Sequence, residues 1–376
     1  MSAAQENTQP HIRSFVRGTT GVIELDRPKA LNSLDLEMLR GIDDALDKWE
    51  HDNAVQQIVI TSSKDRAFCA GGDVRWVREE DARGNYAAGD DFFEEEYRLN
   101  LRLGKFHKPL VALLEGVVMG GGFGISAHGS HRIVTPRTLG AMPEMAIGFV
   151  PDVGMSYTLT HLDVSPVMGL FIGLTGWRLS PADMLYTGLG THAVEDIHAF
   201  LDDLCAVDSP SEDALHAALS KHALSDEDFA KLVDNPQSEL QTHREFIEQT
   251  FASGSWVDIQ NRLADATAAA QKESPSEEDA PDDPQNFRVF LDKVNDAIAV
   301  ANPESLVAAV ELFRRSTKTD LETALDNERA VGNQLRRQEN FLEGVRAVLI
   351  DKDRNASFDP SDARDVDVEK WRQLLS

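Results

Sequence analysis

Cysteine is almost missing from this chain: Cys69 and Cys205 are the two in 376 residues. Two thiols cannot build a disulfide framework, and neither sits in a C-x-x-C or clustered Cys/His setting suited to zinc. A reducing compartment fits. Aromatic residues are sparse at 7%, and no apolar run approaches the roughly 20 residues of a membrane span. Positive charge is also short: 37 Lys and Arg against 64 Asp and Glu leave a net charge of −27. Nucleic acid would be repelled by that average field unless a basic stripe compensated, and the sequence has none. An anionic small molecule needs only a few local cations and stays admissible. The opening residues, MSAAQENTQPHIRSF, show neither a signal-peptide pattern nor the Arg-rich look of a transit peptide. The expectation is a cytoplasmic protein, with an organelle-processed form left open.

What is present reads as globular. At 41% hydrophobic and 27% charged, the chain can bury a sizeable core without disulfide or metal. Ser14 to Arg17 and Val22 to Leu25 alternate as a hairpin does, and an apolar stripe of helical period runs from Leu34 to Trp49 with Asp35 at its start. Gln57 to Thr61 and Pro109 to Leu114 are short apolar strands, each leading to a glycine-rich stretch. Residues 155–205 read mainly as helices. From Ser209 onward the composition shifts to Ala, Leu and charge, predicting helices near 211–221, 226–232, 239–251, 257–271, 286–300, 303–315 and 318–338. Residues 272–284 combine three prolines with six acids and predict a mobile surface loop. The expected organisation is a catalytic core over 1–205 and a helical region over 206–376.

Paired glycines straight after a strand let backbone N–H groups face a cavity that a side chain would block. Gly71-Gly72 and Gly120-Gly121-Gly122 are two such loops. Together they could aim two donors at a developing oxyanion, each worth about 2.7–4 kcal/mol in the transition state. Close helix packing is the plainer reading of the same glycines. Gly122 to Ala127 also fits the G-x-G-x-x-A dinucleotide fingerprint, but its first glycine comes too late after the strand. Glu144 and Asp152 are candidate working acids; the plainer readings make Glu144 a first-turn acid and Asp152 a helix cap. Phe92, Phe93 and Tyr97 suggest packing, Glu94 and Glu95 a solvated face, and Cys69 a small packed side chain. His107, His128, His131 and His192 have no metal-ligand spacing, so no metal is expected.

Ala67-Phe68-Cys69-Ala70-Gly71-Gly72-Asp73 with Gly116-Val117-Val118-Met119-Gly120-Gly121-Gly122 resembles the two oxyanion-hole signatures of the crotonase (enoyl-CoA hydratase/isomerase) superfamily. Phe92 to Tyr97, Ala141 to Glu144, Ile147 to Gly154, Leu174 to Leu179 and Glu343 to Asp353 resemble one branch of it, the 3-hydroxyisobutyryl-CoA hydrolases. The resemblance runs in order from about residue 12 to 360. It implies an α/β fold, a crotonase-like spiral of ββα units followed by a helical C-terminal region. It also implies that Gly72 and Gly121 hold the thioester oxygen, that Glu144 is the principal catalytic carboxylate, and that Asp152 lies near the 3-hydroxyl and the attacking water. Glu96 falls where the family has a substrate-contacting acid. Lys29, Ala30 and Leu31, with Ala70, Asp73 and Val74, resemble the CoA-contacting loops; Arg27, Lys29, Lys64, Arg66 and Arg75 are candidate cations.

One departure carries information. Hydratases of the superfamily have a second catalytic glutamate two residues after the triple glycine, and this chain has Gly124 there. Loss of one acid disfavours water addition across a double bond and favours thioester hydrolysis, which needs a polarised carbonyl and a carboxylate that attacks or activates water. The expected substrate is a short 3-hydroxyacyl-CoA, most simply 3-hydroxyisobutyryl-CoA in valine breakdown, with no cofactor beyond the CoA of the substrate. An enoyl-CoA hydratase or isomerase, and a non-catalytic acyl-CoA-binding scaffold, are the alternatives. A homo-oligomer is compatible with the family.

Overall fold

The computed structural model describes residues 11–206, 211–233, 235–252, 254–272 and 284–376. The acidic segment 272–284 falls outside them except at its two ends. Strands β1 (Ile12–Arg17) and β2 (Thr20–Leu25) form the expected hairpin, closed by the Arg17 to Thr20 pair. Asp35 caps helix α1 (Leu36–Glu50), its carboxylate accepting the Met38 N–H at 2.9 Å. The buried stripe of α1, Met38, Leu39, Ile42, Ala45, Leu46 and Trp49, packs against β1 and β2.

The next three strand pairs divide between two sheets. β3 (Gln57–Ser62), β5 (Leu110–Leu114) and β7 (His131–Val134) join β2 in parallel and are followed at the edge by β9 (His192–Ala193). β4 (Ala67–Cys69), β6 (Val117–Met119) and β8 (Leu139–Ala141) form a separate parallel sheet of their own, in the order β4-β6-β8. Each pair thus sends its first strand to the large sheet and its second to the small one. α2 (Val74–Ala82) and α3 (Tyr86–Lys105) follow β4, the short helix α4 (Gly121–Gly124) follows β6, and a 3-10 turn, Glu144–Ile147, follows β8. This is the ββα spiral expected from the resemblance.

α5 (Met155–Thr160) and α6 (Pro166–Thr175) then lead into the helical region. The helices there lie where the apolar period placed them: Asp226–Leu232, Trp256–Ala270, Pro303–Ser316 and Leu321–Arg336. The last two pack back on α3, α5 and α6, and one apolar core runs from Ile23 to Leu375. Arg336, fully buried, pairs with Asp81 of α2 and Asp90 of α3 and ties the region to the core. Of the apolar residues in 343–353, Val345 and Ala347 are buried, whereas Val348, Leu349 and Ile350 are half-buried. The Asp351-Lys352-Asp353 end is structural in part, because Asp351 and Asp353 both pair with Arg346. Among the described residues no helix is long and apolar enough to cross a membrane.

Candidate active site

The small sheet sets the site. Its three strands run side by side, Val117 opposite Ala67 and Leu139, Val118 opposite Cys69 and Gly140, with the β4–β6 register shifting by one residue between Ala67 and Cys69. Just past their C-terminal ends come Gly71-Gly72, Gly120-Gly121 and Met142-Pro143-Glu144, so parallel pairing alone brings the three motifs together. Three residues per strand carry too little period to be read from sequence.

The two proposed donors are adjacent. A Cβ on Gly121 would stand 3.1 Å from the Gly72 nitrogen and 2.5 Å from Glu96 Oε1. Gly121 opens α4, where an N–H has no partner within the helix. The Gly72 N–H takes no part in the Leu34–Gly72 bridge, which uses the neighbouring groups, Leu34 N–H to Gly71 O and Asp73 N–H to Leu34 O. Gly120 has φ of 46°, and a Cβ there would approach Glu144 Oε1 to 3.0 Å. Side chains at these positions would fill the space that the N–H groups and the acids share.

Glu96 and Glu144 abut these glycines and Asp152 is near enough for its charge to act on both; all three are buried, Glu96 1% exposed, Glu144 7% and Asp152 5%. Burial pushes Glu144 well above the usual carboxylate range, and the charges of Asp152 and Glu96 push it further. Glu96 rises for the same two reasons, burial first and then Asp152. Asp152 is raised by burial to about 7, restrained by the Tyr97 hydroxyl, which donates to its Oδ2 at 2.6 Å. None of the three has an ion-pair partner among the described residues, so mutual repulsion goes unrelieved by a cation. Their closeness with unequal environments is the condition for a neutral acid and an ionised base to coexist near neutral pH.

The capping role that sequence allowed for Asp152 falls elsewhere. Gly154 is the N-cap of α5, and its N–H donates to Glu328 Oε2 at 2.7 Å, the Ser156 N–H to Glu328 Oε1 at 2.9 Å. Glu328 comes from the helix Leu321–Arg336 and is itself raised to about 8 by burial. Asp152 is thereby left free to face Tyr97. Glu144 does open its turn, as a first-turn acid would, yet its carboxylate faces Gly120.

Two loops border the site. Residues 27–34 and 69–74 are joined through backbone bonds, Ala70 N–H to Leu31 O and Asp73 N–H to Leu34 O. Buried Asn32 anchors the first loop by donating to Ser62 Oγ, Ala67 O and Phe68 O at 2.8–3.1 Å. Lys29 is exposed, and Ala30, Leu31, Ala70 and Val74 are half-buried along this seam. Asp73 caps α2 and binds Arg27 at 2.8 Å. Arg27, expected among the free cations, is therefore committed: it also pairs with Asp35 at 3.3 Å. Lys64, Arg66 and Arg75 are exposed. Cys69 is fully buried and its thiol is pushed up to about 12, which suits packing and not nucleophilic attack. Sequence reasoning left Tyr97 in the aromatic cluster; it does pack on Phe93, but its hydroxyl belongs to the site.

Two backbone donors with no hydrogen-bond partner among the described residues, at the ends of parallel strands and beside buried carboxyls, make a site of the kind that polarises a carbonyl and moves protons beside it. The enoyl-CoA hydratase/isomerase family model matches residues 20–375, and human 3-hydroxyisobutyryl-CoA hydrolase, mitochondrial (Homo sapiens), is 37% identical over 94% of this chain and 85% of its own. The Danio rerio protein of that name is 36% identical over 92% of this chain and 84% of its own. Among solved structures, a carnitinyl-CoA dehydratase from Mycobacterium thermoresistibile is similar with a TM-score of 0.83 and 32% identity, covering 98% of this chain and 97% of that one. An enoyl-CoA hydratase from Rhodobacter sphaeroides 2.4.1 has a TM-score of 0.78 at 33% identity, with 97% of each chain covered. The chain belongs to the enoyl-CoA hydratase/isomerase family, in the branch of the 3-hydroxyisobutyryl-CoA hydrolases.

Proposed function

We propose that this chain hydrolyses a short 3-hydroxyacyl-CoA thioester, 3-hydroxyisobutyryl-CoA first among them, to the free acid and CoA. The observation that carries the reading is Gly124. A hydratase's second acid is absent there, and a Cβ at that position would meet Val153 Cβ at 2.7 Å and Asn100 Nδ2 at 2.9 Å. A side chain there overlaps its neighbours, which leaves Glu144 and Asp152 as the two acids that this reading uses.

In this reading the Gly72 and Gly121 N–H groups receive the thioester oxygen as it gains charge. Glu144, working as the carboxylate once the proton that burial favours has left it, takes a proton from the attacking water, or attacks the carbonyl carbon to give a mixed anhydride that water then hydrolyses. The C–S bond breaks, and the departing thiolate takes up the one proton that the water gives up, leaving as free CoA. Asp152, near 7 and bonded to Tyr97, is the second acid through which that proton can pass. The seam between residues 27–34 and 69–74 takes the CoA, with Lys29, Lys64, Arg66 and Arg75 available to its phosphates. Residues 1–205 form the catalytic core and 206–376 the helical region that buttresses it. No cofactor beyond the CoA of the substrate enters these steps. Loss of valine-derived carbon as 3-hydroxyisobutyrate is the matching pathway step. The relatives' names carry the word mitochondrial, so the reducing compartment is an organelle or the cytoplasm, and fractionation of the source cell distinguishes them.

The names of the two structural neighbours, a dehydratase and a hydratase, favour a second reading, hydration or dehydration of an acyl-CoA. One experiment separates the readings: pure protein with a panel of acyl-CoAs, following free thiol and enoyl absorbance together. Thiol release from 3-hydroxyisobutyryl-CoA is the expected result. Loss of enoyl absorbance without thiol makes the chain a hydratase, and neither signal leaves an acyl-CoA-binding scaffold.

A further inference from the structure

Asn100 lies on α3 one turn beyond Glu96 and is fully buried. Neither its Oδ1 nor its Nδ2 has a hydrogen-bond partner among the described residues. A buried amide with donor and acceptor both unmet is rare in a folded protein and calls for a partner. Its setting says where that partner would be. A Cβ on Gly124 would lie 2.9 Å from Nδ2 and 3.2 Å from Oδ1, and Val153, which follows Asp152, borders the same space. The amide therefore occupies the volume that a side chain at 124 would need.

Position along the helix narrows the role. Glu96 abuts the oxyanion glycines, and four residues of α-helix advance about 6 Å. Asn100 is thus set back along the helix from the glycines by about the span between a carbonyl and an oxygen on the third carbon of an acyl chain. Chemistry agrees, because a hydroxyl is one donor and one acceptor and a primary amide complements both. A neutral amide does so without adding charge beside Glu96, Glu144 and Asp152.

We propose that Asn100 is a specificity-determining residue that hydrogen-bonds the 3-hydroxyl of the acyl group. The proposal rests on the hydrolase reading for the choice of acyl chain. Sites built to bind a hydroxyl discriminate strongly against analogues lacking it, since their own polar groups are then left unpaired.

The test is binding, measured calorimetrically with two dethia analogues in which a methylene replaces the thioester sulfur and no C–S bond can break. One carries the 3-hydroxyisobutyryl group and the other isobutyryl. Wild type is expected to bind the hydroxylated analogue roughly 10- to 100-fold more tightly, the cost of leaving a buried amide unpaired. Asn100→Leu, of similar size and without polar atoms, should bring the two affinities to within about 2-fold while free CoA binds as before. Asn100→Ser carries the same test should the leucine variant fail to fold. A wild-type ratio near one, or a ratio that survives in the variants, overturns the proposal. Because the analogues are not hydrolysed, absence of thioesterase activity would sink the proposed function and leave this ratio to be read separately.

Discussion

Glu328 holds the amide of Gly154 at 2.7 Å across a sequence separation of 174 residues. Its other oxygen takes the Ser156 N–H, so a carboxylate from the helical region caps α5 and fixes the turn that presents Asp152. Val153, between Asp152 and Gly154, has φ of 54°, a left-handed conformation that a β-branched residue adopts only when its surroundings impose it. Glu328→Ala leaves two buried N–H groups unpaired, at about 1–3 kcal/mol each. We expect a lower denaturation midpoint and a fall in kcat of about 10-fold or more, with KM little changed. Glu328→Gln, which keeps an acceptor oxygen, should recover part of kcat. Equal loss in both variants would tie the effect to charge and not to the cap.

The same carboxylate makes stability depend on pH. Folded Glu328 is raised to about 8 and Asp152 to about 7, whereas unfolded carboxyls titrate near 4. The folded chain therefore binds more protons between these values. This contribution is fully present below the unfolded pKa and is lost as pH rises through the folded ones. Urea midpoints should fall from about pH 5.5 to about pH 8.5, and Glu328→Gln should show a smaller fall. An identical slope in the variant would contradict the assignment.

Much of the candidate site was legible in the sequence because its parts are local. Gly72, Gly121 and Glu144 each follow a strand directly, and paired glycines are conspicuous wherever a side chain is excluded. The C-terminal helices were legible through their apolar period, as at 226–232 and 303–316. The three-residue strands that gather those motifs were not, since β4, β6 and β8 have no room for a pattern. Tyr97 was read with its aromatic neighbours because packing and hydroxyl donation leave the same residue type. Glu328 stands among Glu322, Asp326 and Arg329 on a charged helix, and only the packing of that helix on α5 distinguishes it. Asn100 offered no signal at all, for a lone amide in a helix is ordinary until its burial is known.

Burial raises Asp152, and the hydrogen bond from the Tyr97 hydroxyl holds that rise down. With Asp152 working as a carboxylate, kcat/KM climbs as pH rises through about 7. The Tyr97 hydroxyl stabilises the ionised form, so its removal raises the Asp152 pKa further. Tyr97→Phe should move the acid limb of the kcat/KM profile to higher pH and leave the rate at high pH less affected. A limb that stays in place would assign that titration to another group.

Gly121 tests the donor pair by sterics alone. The methyl of Gly121→Ala would stand 2.5 Å from Glu96 Oε1 and 3.1 Å from the Gly72 nitrogen. Its backbone N–H survives, but the space before it does not. Turnover should drop by about 10²-fold or more, as for loss of one oxyanion donor, with the fold intact by circular dichroism. Near-normal turnover would place the thioester oxygen elsewhere.

Gly124→Glu asks whether the missing acid of a hydratase can simply be restored. The geometry predicts that it cannot, because the first carbon of the new side chain already overlaps Val153 and Asn100. Overpacking costs about 1–3 kcal/mol, before the added burden of another carboxyl among three buried ones. The variant should melt lower than wild type and consume no enoyl-CoA, followed by absorbance. Asn100→Gly/Gly124→Glu removes one of the overlapping groups and should melt higher than the sum of the two single changes predicts, the sign of a direct steric coupling. Additive losses would mean that Gly124 and Asn100 do not compete for the same volume, and the exclusion of hydratase chemistry would then need a cause other than space.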